Sequence, residues 1–152
     1  MNKNNFLKVI ILFAMILISC TASNNQSIRD KDKINIIDLE AWLNVMPGGP
    51  ASFHITGKYQ CNDFSNCNAG LTTIKISSDN DILYELNTSE INIDKQVDRE
   101  SGQIAYQFFN NPGLKLIASI NMIEKIDVRL IFKTDSILVE KELMNIPLTR
   151  AY

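Results

Sequence analysis

Phe53-His54-Ile55-Thr56-Gly57-Lys58-Tyr59-Gln60-Cys61 alternates without a break: Phe53, Ile55, Gly57, Tyr59 and Cys61 fall on one side, and His54, Thr56, Lys58 and Gln60 on the other. A period of two is the pleat of a β-strand with one face in a core and the other in water. Upstream, Ile37, Leu39, Ala41, Leu43 and Val45 alternate with Asp38, Glu40, Trp42, Asn44 and Met46, which predicts a second strand. Ile37, Ala41 and Val45 also recur at helical spacing, so a helix there stays open. Between the two segments Pro47-Gly48-Gly49-Pro50 turns the chain, because proline cannot continue a ladder and glycine tolerates tight-turn angles.

Downstream the alternation is shorter but repeated. Residues 72–77 and 82–87, joined by Asp79-Asn80-Asp81, read as a hairpin with Ile74, Ile76, Ile82, Tyr84 and Leu86 inward. Residues 90–94 predict a brief strand and 95–102 a charged loop. Ile104, Tyr106 and Phe108 alternate into Asn110-Asn111-Pro112-Gly113, a strong turn signal, and Leu116, Ala118, Ile120 and Met122 answer them as a paired strand. The last pair is 126–133 and 137–144, with Val128, Leu130 and Phe132 inward and Thr134-Asp135-Ser136 as the turn, before a strand-like tail at 146–152. About seven to nine short strands with no sustained helical period predict an all-β fold, an antiparallel immunoglobulin-like β-sandwich over residues 34–152.

The amino end is organised differently. Lys3 and Lys8 precede or open an apolar run from Val9 to Ile18, too short for a permanent membrane-spanning helix, that ends in Leu17-Ile18-Ser19-Cys20. These residues resemble the lipobox of bacterial lipoproteins. The resemblance implies a signal peptide over 1–19, acyl chains of the palmitate kind on Cys20, and a cell-envelope protein held to a membrane by lipid. Thr21 rather than aspartate after the cysteine points to the outer membrane over the inner one. Residues 20–33 are polar and aperiodic, as a flexible tether is.

The 152 residues are 45% hydrophobic and 21% charged, a globular composition with length for one domain. Taking Lys3 and Lys8 from the 15 basic residues leaves 13 against 17 acidic, or −4 for the part from Cys20 onward. With no basic cluster, that excess argues against a nucleic-acid partner. The expected partners are the membrane, through the lipid, and a protein or envelope component.

Few residues offer chemistry. With Cys20 assigned to lipid, Cys61 and Cys67 are left as a disulfide pair in an oxidising compartment, closing a loop worth only about 2 kcal/mol. Their spacing is not the two-residue gap of a redox motif, and no second pair completes a zinc site. The chain has one histidine, His54, so any serine or cysteine triad must run through it. It lies on the outer face of its strand and no serine stands in a Gly-x-Ser-x-Gly elbow. The expectation is a non-enzymatic module with no catalytic residue and no cofactor. A periplasmic small-ligand or copper carrier using His54 with Met46, Met122 and Met144 is one alternative, and a hydrolase another. Asp79, Asp81, Glu85, Glu90 and Asp94 lie on turns and solvent faces, and Asp79-Asn80-Asp81 lacks the glycine and glutamate of an EF-hand loop. Trp42, the sole tryptophan, either anchors the sheet or, with Met46, Pro47 and His54, forms a partner-binding patch.

Overall fold

Residues 34–61, 69–97, 103–134 and 137–152 are described by a computed structural model. Among them the chain forms nine strands: β1 (Ile34–Asn44), β2 (Ser52–Cys61), β3 (Gly70–Ser78), β4 (Asp81–Asn87), β5 (Asn92–Val97), β6 (Ile104–Phe109), β7 (Leu114–Lys115), β8 (Lys125–Lys133) and β9 (Leu138–Ala151). A 3₁₀ turn, Ala118–Met122, precedes β8. Cys20, Cys67, the leader and the tether lie outside the described residues.

Hydrogen bonding links the strands in the order β4-β3-β8-β9-β1-β2-β6-β5, with β7 on β2. The pairings are antiparallel, except that the end of β9, Leu148 to Ala151, runs parallel to Ala41 to Asn44 of β1. Strand β9 therefore serves two neighbours in turn. Its first part pairs with β8 as far as Lys125 opposite Pro147. A register shift between Ile126 and Val128, where Asn145 takes φ 59° and its N–H donates to Asp127 Oδ1 at 2.8 Å, marks the bend. Past Pro147, which has no N–H to donate, Leu148 still donates to Glu124 O at 2.8 Å while the strand passes to β1.

The sheet curls until its two halves meet. Phe53 of β2 stacks on Tyr84 of β4 at 4.9 Å, and Tyr59 of β2 meets Phe132 of β8 edge-on at 4.9 Å. Around these rings Leu43, Ile55, Ile74, Ile76, Leu86, Phe108, Val128 and Leu130 are fully buried, each contributing roughly 1.5–3 kcal/mol by leaving water. The described residues leave no buried side-chain nitrogen or oxygen without a partner.

The all-β, mostly antiparallel expectation agrees with this architecture, and the segment around Ile37 is a strand rather than a helix. Five local expectations need correction. In β1 a register shift between Ile36 and Asp38 puts Ile37 half in solvent, 50% exposed, while Ile34 and Ile36 turn to the core on one side of it and Leu39 on the other. In β4 a shift opposite Ile76 and Ser77 puts Ile82 in solvent at 61%. A bulge reverses which parity faces inward, and sequence alternation alone does not reveal it.

The other three concern strand limits. Residues 92–97, divided between a brief strand and a charged loop, form the single strand β5, held by β6 although every residue of it is exposed. The run from Leu116 to Met122 does not pair with β6. Leu114 and Lys115 pair with β2 instead, Ala118–Met122 winds into the 3₁₀ turn with only Ile120 buried, and Met122 is 88% exposed. The last two expected strands are one, β9.

Candidate functional site

The outer face of β1 and β2 gathers the residues singled out from the sequence. Trp42 and His54 are directly paired across the two strands. Their rings stack with centroids 5.2 Å apart and planes 11° from parallel. Both are half-buried, each ring covering a face of the other. Met46 and Pro47, just beyond β1, are exposed; Met46 shows 52% of its surface. The loop there turns through Gly48 at φ 97°, an angle that favours glycine.

His54 is held from several sides. Ser52, two residues earlier on the same face, brings its Oγ to 2.8 Å from His54 Nε2. The ring also hydrogen-bonds the backbone of Asn110, which raises its basicity, but burial is the larger influence and sets its pKa below the ordinary 6.5. The Ser52 hydroxyl donates to Nε2 in the tautomer that carries the ring proton on Nδ1. Gly113 supplies the last wall. A Cβ there would collide with His54 Cε1 and Nε2 and lie 2.9 Å from Ser52 Cβ.

Asn110 explains why these parts hold together. It is the buried polar side chain of the described residues, 4% exposed. Its Oδ1 accepts the Ile55 N–H at 2.8 Å and its Nδ2 donates to Phe53 O at 3.0 Å, so it fixes the backbone on both sides of His54. The turn that begins at Asn110 carries Gly113 back beneath the ring and into β7 beside Ser52.

Three residues of this cluster, Ser52, Asn110 and Gly113, were not anticipated. A serine two positions before a histidine on one strand face was the signal for the first; the other two depend on a chain crossing 55 or more residues away. In chemical terms the cluster holds a neutral imidazole whose Nε2 can take a proton from a serine hydroxyl. No group of three or more His, Cys, Asp or Glu suited to an ion occurs among the described residues. Of the methionines considered with copper, Met122 and Met144 are largely exposed, and His54 Nε2 is taken up by Ser52.

Elsewhere, an open cleft of about 500 Å³ is lined by Ser78, Asp79, Met122, Glu124, Lys125 and Asp127. Cys61 ends β2 with its side chain buried, and its expected partner Cys67 is outside the described residues.

Fold and site together define an all-β protein with an aromatic and hydroxyl cluster on the outer face of its β1–β2 pair. No protein-family model matches the chain, and no curated protein is significantly similar to it.

Proposed function

We propose that this chain is a bacterial envelope lipoprotein, anchored through Cys20, whose β domain is a binding or accessory module for a protein or envelope component. The observation that carries the reading is the leader ending in Leu17-Ile18-Ser19-Cys20, followed by a polar tether. We also read the domain as an immunoglobulin-like sandwich. In support, the strand order divides into β5-β6-β2-β1 and β4-β3-β8-β9. Those two groups match the two sheets of the immunoglobulin arrangement, strands A, B, E and D against C, F and G with one added strand beside C. The parallel contact of the first and last strands would then be the seam between sheets.

The orientation follows from β1. Eleven residues from Ile34 to Asn44 carry the chain roughly 35 Å, away from the tether. Trp42, Met46 and Pro47 therefore stand at the end remote from the anchor, where a partner can reach them. The bridge between Cys61 and Cys67 belongs to the same reading, since it needs an oxidising compartment; mass spectrometry of exported protein without reductant is expected to find both thiols blocked.

Two measurements test the proposal. Cells fed labelled palmitate should yield labelled protein, and Cys20→Ala should abolish the label. A photoreactive residue at position 46 should crosslink a partner that the same group at position 85, on β4, does not. Unlabelled protein from cells with working lipoprotein processing would remove the anchor, and identical crosslinks from both positions would remove the binding face.

A further inference from the structure

We propose that Ser52 is a nucleophile activated by His54, so that the outer face of β2 carries an acyl-transfer site for small esters. This departs from the non-enzymatic expectation and does not rest on the anchor or on a protein partner.

The argument is geometric. An activated serine needs a base within hydrogen-bond reach and a third group that orients the base. Ser52 Oγ lies 2.8 Å from His54 Nε2. The ring also meets the main chain of Asn110. Asn110 is itself fixed by its buried bonds to Ile55 and Phe53. Trp42 stacked on one face of the ring, and Gly113 with no room for a side chain beside it, leave the imidazole little freedom to rotate away. These restraints exceed what a surface histidine requires. Burial favours the neutral ring, the form that accepts a proton.

In the reaction Ser52 Oγ bonds to the ester carbonyl carbon as its proton passes to His54 Nε2. The bond from that carbon to the alkoxy oxygen then breaks, and the departing alcohol takes the proton from Nε2. Water attacks the acyl-serine, giving its proton to Nε2, and the acyl–Oγ bond breaks with return of that proton to Ser52 as the carboxylic acid leaves. Ser52 is half-buried on a sheet face and is not among the residues lining the open cleft. A half-buried serine on a sheet face suits a short ester presented at the surface.

A fluorophosphonate probe reads this chemistry directly, because it phosphonylates activated serines with loss of fluoride. Full-length protein should be labelled, with the adduct mapped to Ser52 by peptide mass spectrometry. Ser52→Ala should lose the label, and His54→Gln should react at least tenfold more slowly. Labelling should also fall on acidification with the same midpoint as the His54 titration. Circular dichroism and a cooperative melt establish that each variant is folded. Folded wild-type protein that takes up no more probe than Ser52→Ala, or a folded His54→Gln that reacts at the wild-type rate, would overturn the proposal. His54→Asn offers an independent arm if His54→Gln does not fold: without the imidazole, labelling should slow at least tenfold, and an unchanged rate would count equally against the proposal.

Discussion

Asn110 stands in for a strand opposite Ile55: its Oδ1 accepts the Ile55 N–H at 2.8 Å, and its own N–H reaches Ile55 O at 3.3 Å. Strand β6 leaves β2 at Phe109, opposite Thr56, and β7 joins it only at Leu114, opposite Phe53. The carboxamide fills the gap between them, adding a donor to Phe53 O at 3.0 Å.

Asn110→Ala should therefore cost about 2–4 kcal/mol, since it strands a buried N–H and a buried C=O, each worth roughly 1–3 kcal/mol when unpaired. Asn110→Asp keeps the acceptor for Ile55 but offers Phe53 O no donor when ionised, so it should lie between alanine and wild type only at low pH. Urea unfolding measures both. A loss below about 1 kcal/mol for alanine would show that water replaces the side chain and that the clamp does not hold the strand.

The stacked pair Trp42 and His54 gives an internal titration, because the chain has one tryptophan and one histidine. Protonating the imidazole 5.2 Å from the indole should quench fluorescence, with a midpoint below the ordinary 6.5, as burial lowers the His54 pKa. The sign for stability follows. A histidine with a depressed native pKa contributes stability that is present above 6.5 and lost as the pH falls through the native value. His54→Gln should abolish both the fluorescence step and that part of the acid sensitivity. A midpoint above 6.5 would mean that the ring is stabilised as a cation instead.

Much of this fold is legible in the sequence because most strands bury one face: Phe53, Ile55 and Tyr59 in β2 and Val128, Leu130 and Phe132 in β8 all point as alternation requires. The hairpin of β3 and β4 is equally plain, and Asp79 and Asn80 take φ 52° and 71°, the left-handed pair of a two-residue turn. Alternation fails where the register slips, as at Ile37 and Ile82, or where an edge buries nothing. Strand β5 has no buried residue to betray it; its backbone bonds to β6 alone define it. The site is half legible for the same reason. Trp42 and His54 share a face by parity, whereas Asn110 and Gly113 reach them through a crossing that no local pattern encodes.

Tyr59 governs the alkaline limit. Burial pushes its phenol up to about 12, opposed by a hydrogen bond with the Leu71 backbone and aided by nearby Tyr106. Its native pKa exceeds the ordinary 10, so its contribution is complete below pH 10 and drains away as the pH rises from 10 through 12. Tyr59→Phe should flatten that part of the stability profile while costing on the order of 1 kcal/mol at neutral pH for the lost hydrogen bond. Denaturant melts at pH 8 and pH 11 compare the two; an unchanged alkaline slope in the variant would assign the effect to another group.

Gly57 is where the β1 bulge and the core compete for one space. It pairs with Leu39 just past the register shift, and a Cβ on it would lie 2.5 Å from Phe108 Cζ and 2.8 Å from the backbone oxygen of Asp38. The first neighbour is a fully buried ring and the second is main chain, so neither yields cheaply. Gly57→Ala should destabilise by about 1–3 kcal/mol through overpacking, against the small gain that alanine gives where the site is open. Phe108→Leu shortens the side chain that would be struck but leaves the Asp38 carbonyl in place. In a double-mutant cycle the second change should rescue part of the first, leaving a remainder that belongs to the backbone contact. Full rescue would place the whole conflict in the ring, and a neutral Gly57→Ala would mean that the bulge at Asp38 moves aside at no cost.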